Sequence, residues 1–328
     1  MNQDITTALT LFTENVQATK KGFAWHHIGT KRLAALLYTL QNKTIDCAAL
    51  KESHALIKDR VGVFSMFRGN MSIFIAAMLS LDDGCKLRLA DVTEVYDILK
   101  AAKFGASDYL AVAAYLIVAD TGRENYKITV SRAKQFYDGM KKNNWFHTGQ
   151  DDYIFAVMLG LSDIEVTAGT ERIKELYDRL KKEFKRAGGG SVQALSQMLT
   201  LGGKTDEALT HLLQLRDSLK SRKVKLDRPY TLPALGALSL LPVDGEILVR
   251  DILEAQNYLR AQKGFGAFSI SMQEILLFAS AIISSVYAKD MSTTVVASSS
   301  VSIINIIIAQ QIAMIVAVSA ASTSAASC

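Results

Sequence analysis

The chain of 328 residues is 49% hydrophobic and 21% charged, a composition typical of a mildly basic soluble protein with ample material for a large core. Its net charge of +5 is too small to indicate nucleic-acid binding by itself. Cys47, Cys85 and Cys328 are odd in number and lack metal-ligand spacing, which argues against a disulfide framework and a zinc site. With no secretory signal in the first residues, we expect a reducing cytoplasm.

The chain begins with a segment that has helical periodicity. Ile5, Leu9, Phe12 and Val16 follow one another at spacings of four, three and four residues, which predicts a leading helix over 4–21. All three prolines of the chain lie between Pro229 and Pro242. Long uninterrupted helices are therefore expected through most of the sequence.

From residue 28 onward a pair of helices recurs about every 40 residues. Each pair has a short helix A, rich in alanine and leucine, and a longer amphipathic helix B. The leucines that close helix A are 42, 37, 43, 40 and 39 residues apart: Leu37, Leu79, Leu116, Leu159, Leu199 and Leu238. About seven units are expected, at 28–65, 66–106, 107–149, 150–190, 191–228, 229–268 and 269–328.

This periodicity predicts an all-α protein of tandem helix-pair repeats that form a single helical-repeat domain over 1–328. Stacked pairs of this kind bury apolar faces that no pair buries alone. The array is either a closed α/α toroid or an open α-solenoid, and the sequence leaves both possibilities open.

The acidic and basic residues occupy different positions within each helix pair. Acids gather in the turns from A to B, whereas lysines and arginines gather at the ends of the B helices and are densest from Lys181 to Arg228. This pattern is explained by the helix dipole, which favours acids at the N-terminus of a helix and bases at its C-terminus. The alternative is an electropositive rim that attracts an anionic partner. Because the densest basic stretch lacks interleaved aromatic residues, the sequence argues against nucleic acid as a partner.

The best local group of polar residues precedes two neighbouring A helices. An anion of the phosphate or carboxylate type could be held there by free helix N–H groups and cationic side chains. The candidate ligand-binding residues are His26, His27, Lys31, Arg68 and Asn70. The alternative is that Arg68 bonds a loop carbonyl while the histidines cap and pack.

Other motifs favour structural roles. Tyr96, Tyr137 and Tyr177 recur at spacings of 41 and 40, and His54 holds the same position in the first unit, so we interpret all four as packing residues. The run Gly188–Gly190 is typical of a helix C-cap and turn rather than of a phosphate-binding loop. No pattern predicts a cofactor, a metal or a catalytic group.

The last 38 residues carry no charge. Residues 301–321 are apolar and long enough to cross a bilayer, but Gln310 and Gln311 at mid-span favour burial in protein over lipid. We therefore expect 301–321 to be a buried closing helix, with membrane association or insertion into a partner as the alternative.

Two short motifs resemble a known family. Phe64-Ser65-x-Phe67-Arg68-Gly69-Asn70, followed by Ser107-x-Tyr109-Leu110-x-x-Ala113-Ala114, is similar to an uncharacterised bacterial all-helical family, the domain of unknown function four thousand and three. The resemblance covers most of the chain. It implies a bacterial, cytoplasmic origin and no established activity.

Two function hypotheses follow from the sequence. The first is an interaction or scaffold module that binds a protein or another anionic partner across its rim, since repeat surfaces suit extended recognition. The second is a toroidal enzyme or small-molecule binder with a phosphate or carboxylate at the basic mouth. The lack of a convincing catalytic group favours the first.

Overall fold

The computed structural model describes residues 2–24, 26–63, 65–82, 84–203 and 206–292. These residues form α-helices, short 3₁₀ turns and loops, without a β-strand among them, so the predicted all-α class is confirmed for this part of the chain. The helices are α1 Gln3–Gly22, α2 Ile28–Leu40, α3 Cys47–Arg60, α4 Ser72–Ser80, α5 Cys85–Ala101, α6 Asp108–Asp120, α7 Tyr126–Asn143, α8 Tyr153–Leu161, α9 Val166–Glu183, α10 Gly189–Leu201, α11 Asp206–Ser221, α12 Leu232–Ser239, α13 Gly245–Ala261 and α14 Met272–Ser292. The segment 301–321 lies outside the described residues.

Short and long helices alternate after α1, and they differ in burial. In α4 and α8 every residue except the last is buried, because the sequences SIFIAAMLS and YIFAVMLGL offer no polar face. In the longer α9, burial is confined to one side, where Ile173, Leu176 and Leu180 recur at helical spacing. The short helices therefore form the core, and each long helix covers it with one apolar stripe.

Acids in the turns between a short and a long helix act as helix caps. The Asp46 carboxylate accepts hydrogen bonds from the first-turn N–H groups of α3, Glu165 does so for α9, and Asp244 does so for α13. Hydrogen bonds from Thr167 and Ala168 lower the pKa of Glu165, because they stabilise its charged form. Capping thus accounts for these acids without a ligand.

The described helices fall into two compact units. The N-terminal unit contains Glu14–Asp138 and Gly149–Leu161, and the C-terminal unit contains the chain up to Thr13, Gly139–Thr148 and the described residues from Ser162 onward. Neighbouring helices follow the same order within each unit. A short helix packs on the long helix before it and on another short helix, as α4 does on α3 and α2, and α12 on α11 and α10.

The higher order of the array stays a prediction. One continuous helical-repeat domain over 1–328 and its closure into a toroid or extension into a solenoid are both untested expectations. Among the helices of residues 2–292, none combines the length and the apolar content that a membrane crossing requires.

Two long helices end in a left-handed residue that is not glycine. Lys103 after α5 has φ 70° and Lys223 after α11 has φ 65°. In each case the following N–H, of Phe104 or Val224, bonds a carbonyl in the last turn of the helix. These are Schellman-type ends, at which glycine is the usual residue because it has no Cβ.

Replacing Lys223 with glycine should therefore stabilise the protein. The left-handed conformation costs a residue with a Cβ about 1–2 kcal/mol, and the greater unfolded-state entropy of glycine offsets part of the gain. We expect Lys223→Gly to raise the free energy of unfolding by about 0.5–1 kcal/mol, measured by urea denaturation. Lys223→Ala retains a Cβ and should give no such gain; equal stabilisation by both variants would contradict this explanation.

Candidate functional site

Three segments of the N-terminal unit meet beside the start of α2. They are the loop between α1 and α2, the C-terminal half of α3, and the 3₁₀ turn Met66–Arg68 that precedes α4. The His26–His54 cluster, as we call the side chains at this meeting point, consists of His26, Lys31, His54, Lys58 and Arg68.

Aromatic contacts hold the two imidazoles together. The His54 side chain on α3 is buried, and its ring centroid lies 5.1 Å from that of His26 in an edge-to-face arrangement. Phe23 packs against both rings, at 5.8 Å from His26 and 6.4 Å from His54. Nδ1 of His26 is buried and has no hydrogen-bond partner among the described residues.

Three cationic side chains surround these rings. The ammonium group of Lys31 is buried and donates to the carbonyl oxygens of Phe23, at 3.1 Å, and Ala24, at 3.4 Å. One guanidinium nitrogen of Arg68 donates to the carbonyl of Lys58 at 3.3 Å. No carboxylate of the described residues forms an ion pair with Lys31, Lys58 or Arg68, so the cluster is electropositive.

The electrostatics of the imidazoles reflect this environment. Burial, followed by the charges of Lys58, His26 and Arg68, lowers the pKa of His54 to about 4. Burial, followed by Lys58 and Lys31, also lowers the pKa of His26. Both rings are therefore neutral at physiological pH, beside cations that no described acid neutralises.

The predicted site residues separate into two groups. His26, Lys31 and Arg68 come together, joined by His54 and Lys58, which the sequence did not assign to a site. His27 is exposed, and its Nδ1 accepts from the N–H of Gly29 at 3.2 Å, which caps α2. Asn70 is exposed in the turn before α4, and no described contact joins it to the cluster. The carbonyl bond of Arg68 and the capping by His27 are the contacts expected from a purely structural role.

His54 occupies a position that is repeated in later helix pairs. Tyr96 on α5 packs on Phe67 at 5.2 Å, and Tyr177 on α9 packs on His147 at 5.9 Å. A lysine one turn later lies over each tyrosine ring, at 5.8 Å for Lys100 and 5.5 Å for Lys181. The structure thus agrees with the interpretation of these residues as packing residues. The histidine in the first pair differs from the tyrosines because its ring carries a positive charge when it is protonated.

Asp82 and Asp152, each of which is next to another aspartate in the sequence, have partners within the protein. Asp82 forms an ion pair with Arg88, and the Asp152 carboxylate accepts from the N–H of Gly149 at 2.8 Å. Within the described residues, no three His, Cys, Asp or Glu side chains converge in an arrangement that would hold a metal ion.

The low pKa of His54 predicts a loss of stability in acid. In the unfolded chain the ring protonates near pH 6.5, whereas in the folded protein it resists protonation until about pH 4. Stability is therefore unaffected above pH 6.5 and falls as the pH drops toward 4, by roughly 2–3 kcal/mol between about pH 7.5 and pH 4.5.

His54→Tyr introduces the residue found at the repeated position and should remove this component. We would measure the unfolding free energy of variant and parent by urea denaturation. Between about pH 7.5 and pH 4.5 the parent should lose roughly 2–3 kcal/mol more than the variant. A constant difference would show that His54 does not resist protonation.

Comparison with known proteins agrees with the resemblance seen in the sequence. Residues 15–313 match the family described as Protein of unknown function (DUF4003). No curated protein and no solved structure matches the chain. The match extends over both compact units and includes every residue of the His26–His54 cluster. The chain therefore belongs to the DUF4003 family, whose function is unknown.

Proposed function

We propose that this protein binds a ligand with a phosphate or carboxylate group at the His26–His54 cluster. The observation that carries the proposal is the buried Nδ1 of His26, which lacks a partner and lies in a cluster whose charged members are all cationic. Buried polar atoms normally have hydrogen-bond partners, and an exception calls for an explanation. An anion would supply both the missing acceptor and the missing negative charge.

Electrostatics would favour such a ligand. Lys31 is buried and Arg68 is half-buried, so water screens their charges less than it screens charges at an open surface, and the exposed Lys58 adds a more strongly screened charge. An anion beside the imidazoles would stabilise their protonated forms and raise the pKa of both rings. Binding should therefore strengthen as the pH falls from neutrality, until the ligand itself becomes protonated.

The cluster supports binding better than catalysis. The described ring contacts of both imidazoles are with aromatic side chains, and neither a nucleophile nor a carboxylate contacts them among the described residues. Proton transfer by histidine normally requires a partner that orients the ring. We therefore assign His26 and Arg68 to ligand recognition, with Lys31 and Lys58 supplying charge.

The wider context of the proposal is a tandem-repeat array, open as an α-solenoid or closed as an α/α toroid, with an electropositive rim. The repeat is supported by two long helices that share one arrangement, in which a buried tyrosine ring is followed one turn later by a lysine. The two tyrosines are Tyr96 and Tyr177. The free thiols of Cys47 and Cys85 fit the reducing cytoplasm of a bacterium.

A second candidate function is recognition of a protein partner, because the structure exposes two adjacent aromatic residues. Trp145 and Phe146, in the 3₁₀ turn after α7, are 65% and 92% exposed. Large exposed aromatic residues are typical of interaction surfaces. If this function holds, Trp145→Ser with Phe146→Ser should abolish capture of a specific partner from the native host without lowering the melting temperature.

The anion proposal predicts a response of two specific histidines to inorganic phosphate. The chain has five histidines, whose ring signals can be followed by NMR as the pH is varied. We expect phosphate to raise the pKa of His26 and His54. His211 serves as an internal reference, since its ring bonds the Ser239 carbonyl in the C-terminal unit and should not respond.

Two matched lysine variants distinguish phosphate binding at the His26–His54 cluster from nonspecific attraction of phosphate to positive charge. Lys58→Gln should weaken phosphate binding about tenfold, because it removes one charge next to the imidazoles. Lys51→Gln removes an exposed charge from the same helix and should leave binding unchanged. The proposal fails if phosphate moves neither His26 nor His54, or if both lysine variants bind alike.

A further inference from the structure

The start of α10 is an open helix N-terminus built from glycine. Gly188 has φ 80°, a conformation that side chains with a Cβ rarely adopt, and no side chain caps the helix. A Cβ at Gly188 or Gly190 would meet nothing within 4 Å. The N–H groups of the first turn, which have no acceptor within a helix, are therefore accessible from solvent.

His147 packs directly on this first turn. A Cβ at Gly189 would lie only 2.3 Å from the imidazole ring, so no other residue could occupy position 189 without moving that ring. The centroid of the same ring lies 5.9 Å from that of Tyr177 on α9. One imidazole thus bridges the glycine turn and the tyrosine.

The hydroxyl group of Tyr177 has no partner. The residue is 3% exposed, and its oxygen forms no hydrogen bond among the described residues. A buried hydroxyl without a partner destabilises the folded protein, so the absence of a partner needs an explanation.

The equivalent tyrosines lie beside the starts of other short helices. The backbone of Ser107, the residue that caps α6, lies near the Tyr96 hydroxyl and stabilises its ionised form. Tyr137 hydrogen-bonds Tyr153, the first residue of α8. In both cases the hydroxyl on a long helix reaches the start of the next short helix. For Tyr177 the next short helix is α10, which begins with glycines.

We propose that the start of α10 binds a phosphoryl group. Its oxygens would accept hydrogen bonds from the first-turn N–H groups, the Tyr177 hydroxyl and the His147 ring, and the helix dipole favours an anion at this end. Lys181, whose ammonium group lies 5.5 Å from the centre of the Tyr177 ring, adds positive charge. A phosphoryl group has enough acceptor oxygens for all these donors. This site shares no residue with the His26–His54 cluster.

Tyr177→Phe tests the proposal, because it removes only the hydroxyl. We would titrate inorganic phosphate and, separately, phenyl phosphate, and follow the Gly189 amide and the His147 ring by NMR. In the parent protein these signals should shift and saturate. Tyr177→Phe should weaken the response about tenfold. Its melting temperature should be unchanged or higher, since the lost hydroxyl had no partner.

Control variants keep the outcome unambiguous. Tyr96→Phe removes the hydroxyl of the equivalent tyrosine in the N-terminal unit, so it should leave the signals at α10 unchanged. Gly190→Pro removes one N–H at a position in the first helical turn, where proline is tolerated, and should weaken binding, whereas Gly190→Ala keeps the N–H and should not.

The two probes distinguish the sources of the phosphoryl group. A response to both indicates free phosphate, and a response to phenyl phosphate alone indicates a phosphomonoester; either supports the site. The proposal is overturned if neither probe shifts the Gly189 amide and the His147 ring, or if Tyr177→Phe binds as tightly as the parent.

Discussion

The burial of the short helices on nearly all sides is the constraint on which the other features depend. Helices such as α4 and α8 have no polar face, so their first N–H groups must find partners in the surrounding protein. The long helices before α6 and α8 each place a tyrosine ring beside the start of the short helix. Tyr96 reaches the cap of α6 and Tyr137 reaches the first residue of α8. The start of a short helix is therefore the most constrained point of each pair.

That same point is where the pairs differ chemically. In the first pair His54 replaces tyrosine and meets His26, which converts a packing contact into a titratable, electropositive cluster. At the start of α10 glycines replace the cap, and the ring of His147 lies on the helix backbone. The same kind of helix pair holds each of these groups in place, while a change of one or two residues alters the groups that contact the ring. Rigid elements with variable ends are a common way to build binding sites.

The helices could be predicted from sequence because their signals are local. The leucines that close the short helices, the glycines that follow the long ones and the acids that cap α9 and α13 each act within a few residues. The site depended on loop geometry, which those signals do not contain. His27 and Asn70 lie beside the cluster residues in sequence, yet the turn of the chain separates them from it. Lys58 gave no signal except its place one turn after His54, and the missing partner of Tyr177 became visible only beside its equivalents.

Both candidate sites keep groups that a purely structural role would not need. Uncompensated cations beside buried imidazoles lower stability, and so does a buried hydroxyl without an acceptor. The chain itself provides the paired alternative, since Tyr137 holds an equivalent position with its hydroxyl group bonded to Tyr153. If these positions served only to pack the helices, a tyrosine with a bonded hydroxyl at each of them would be sufficient. The proposed ligands would supply the missing partners at His54 and Tyr177, and the lysines beside both positions favour ligands that are anionic.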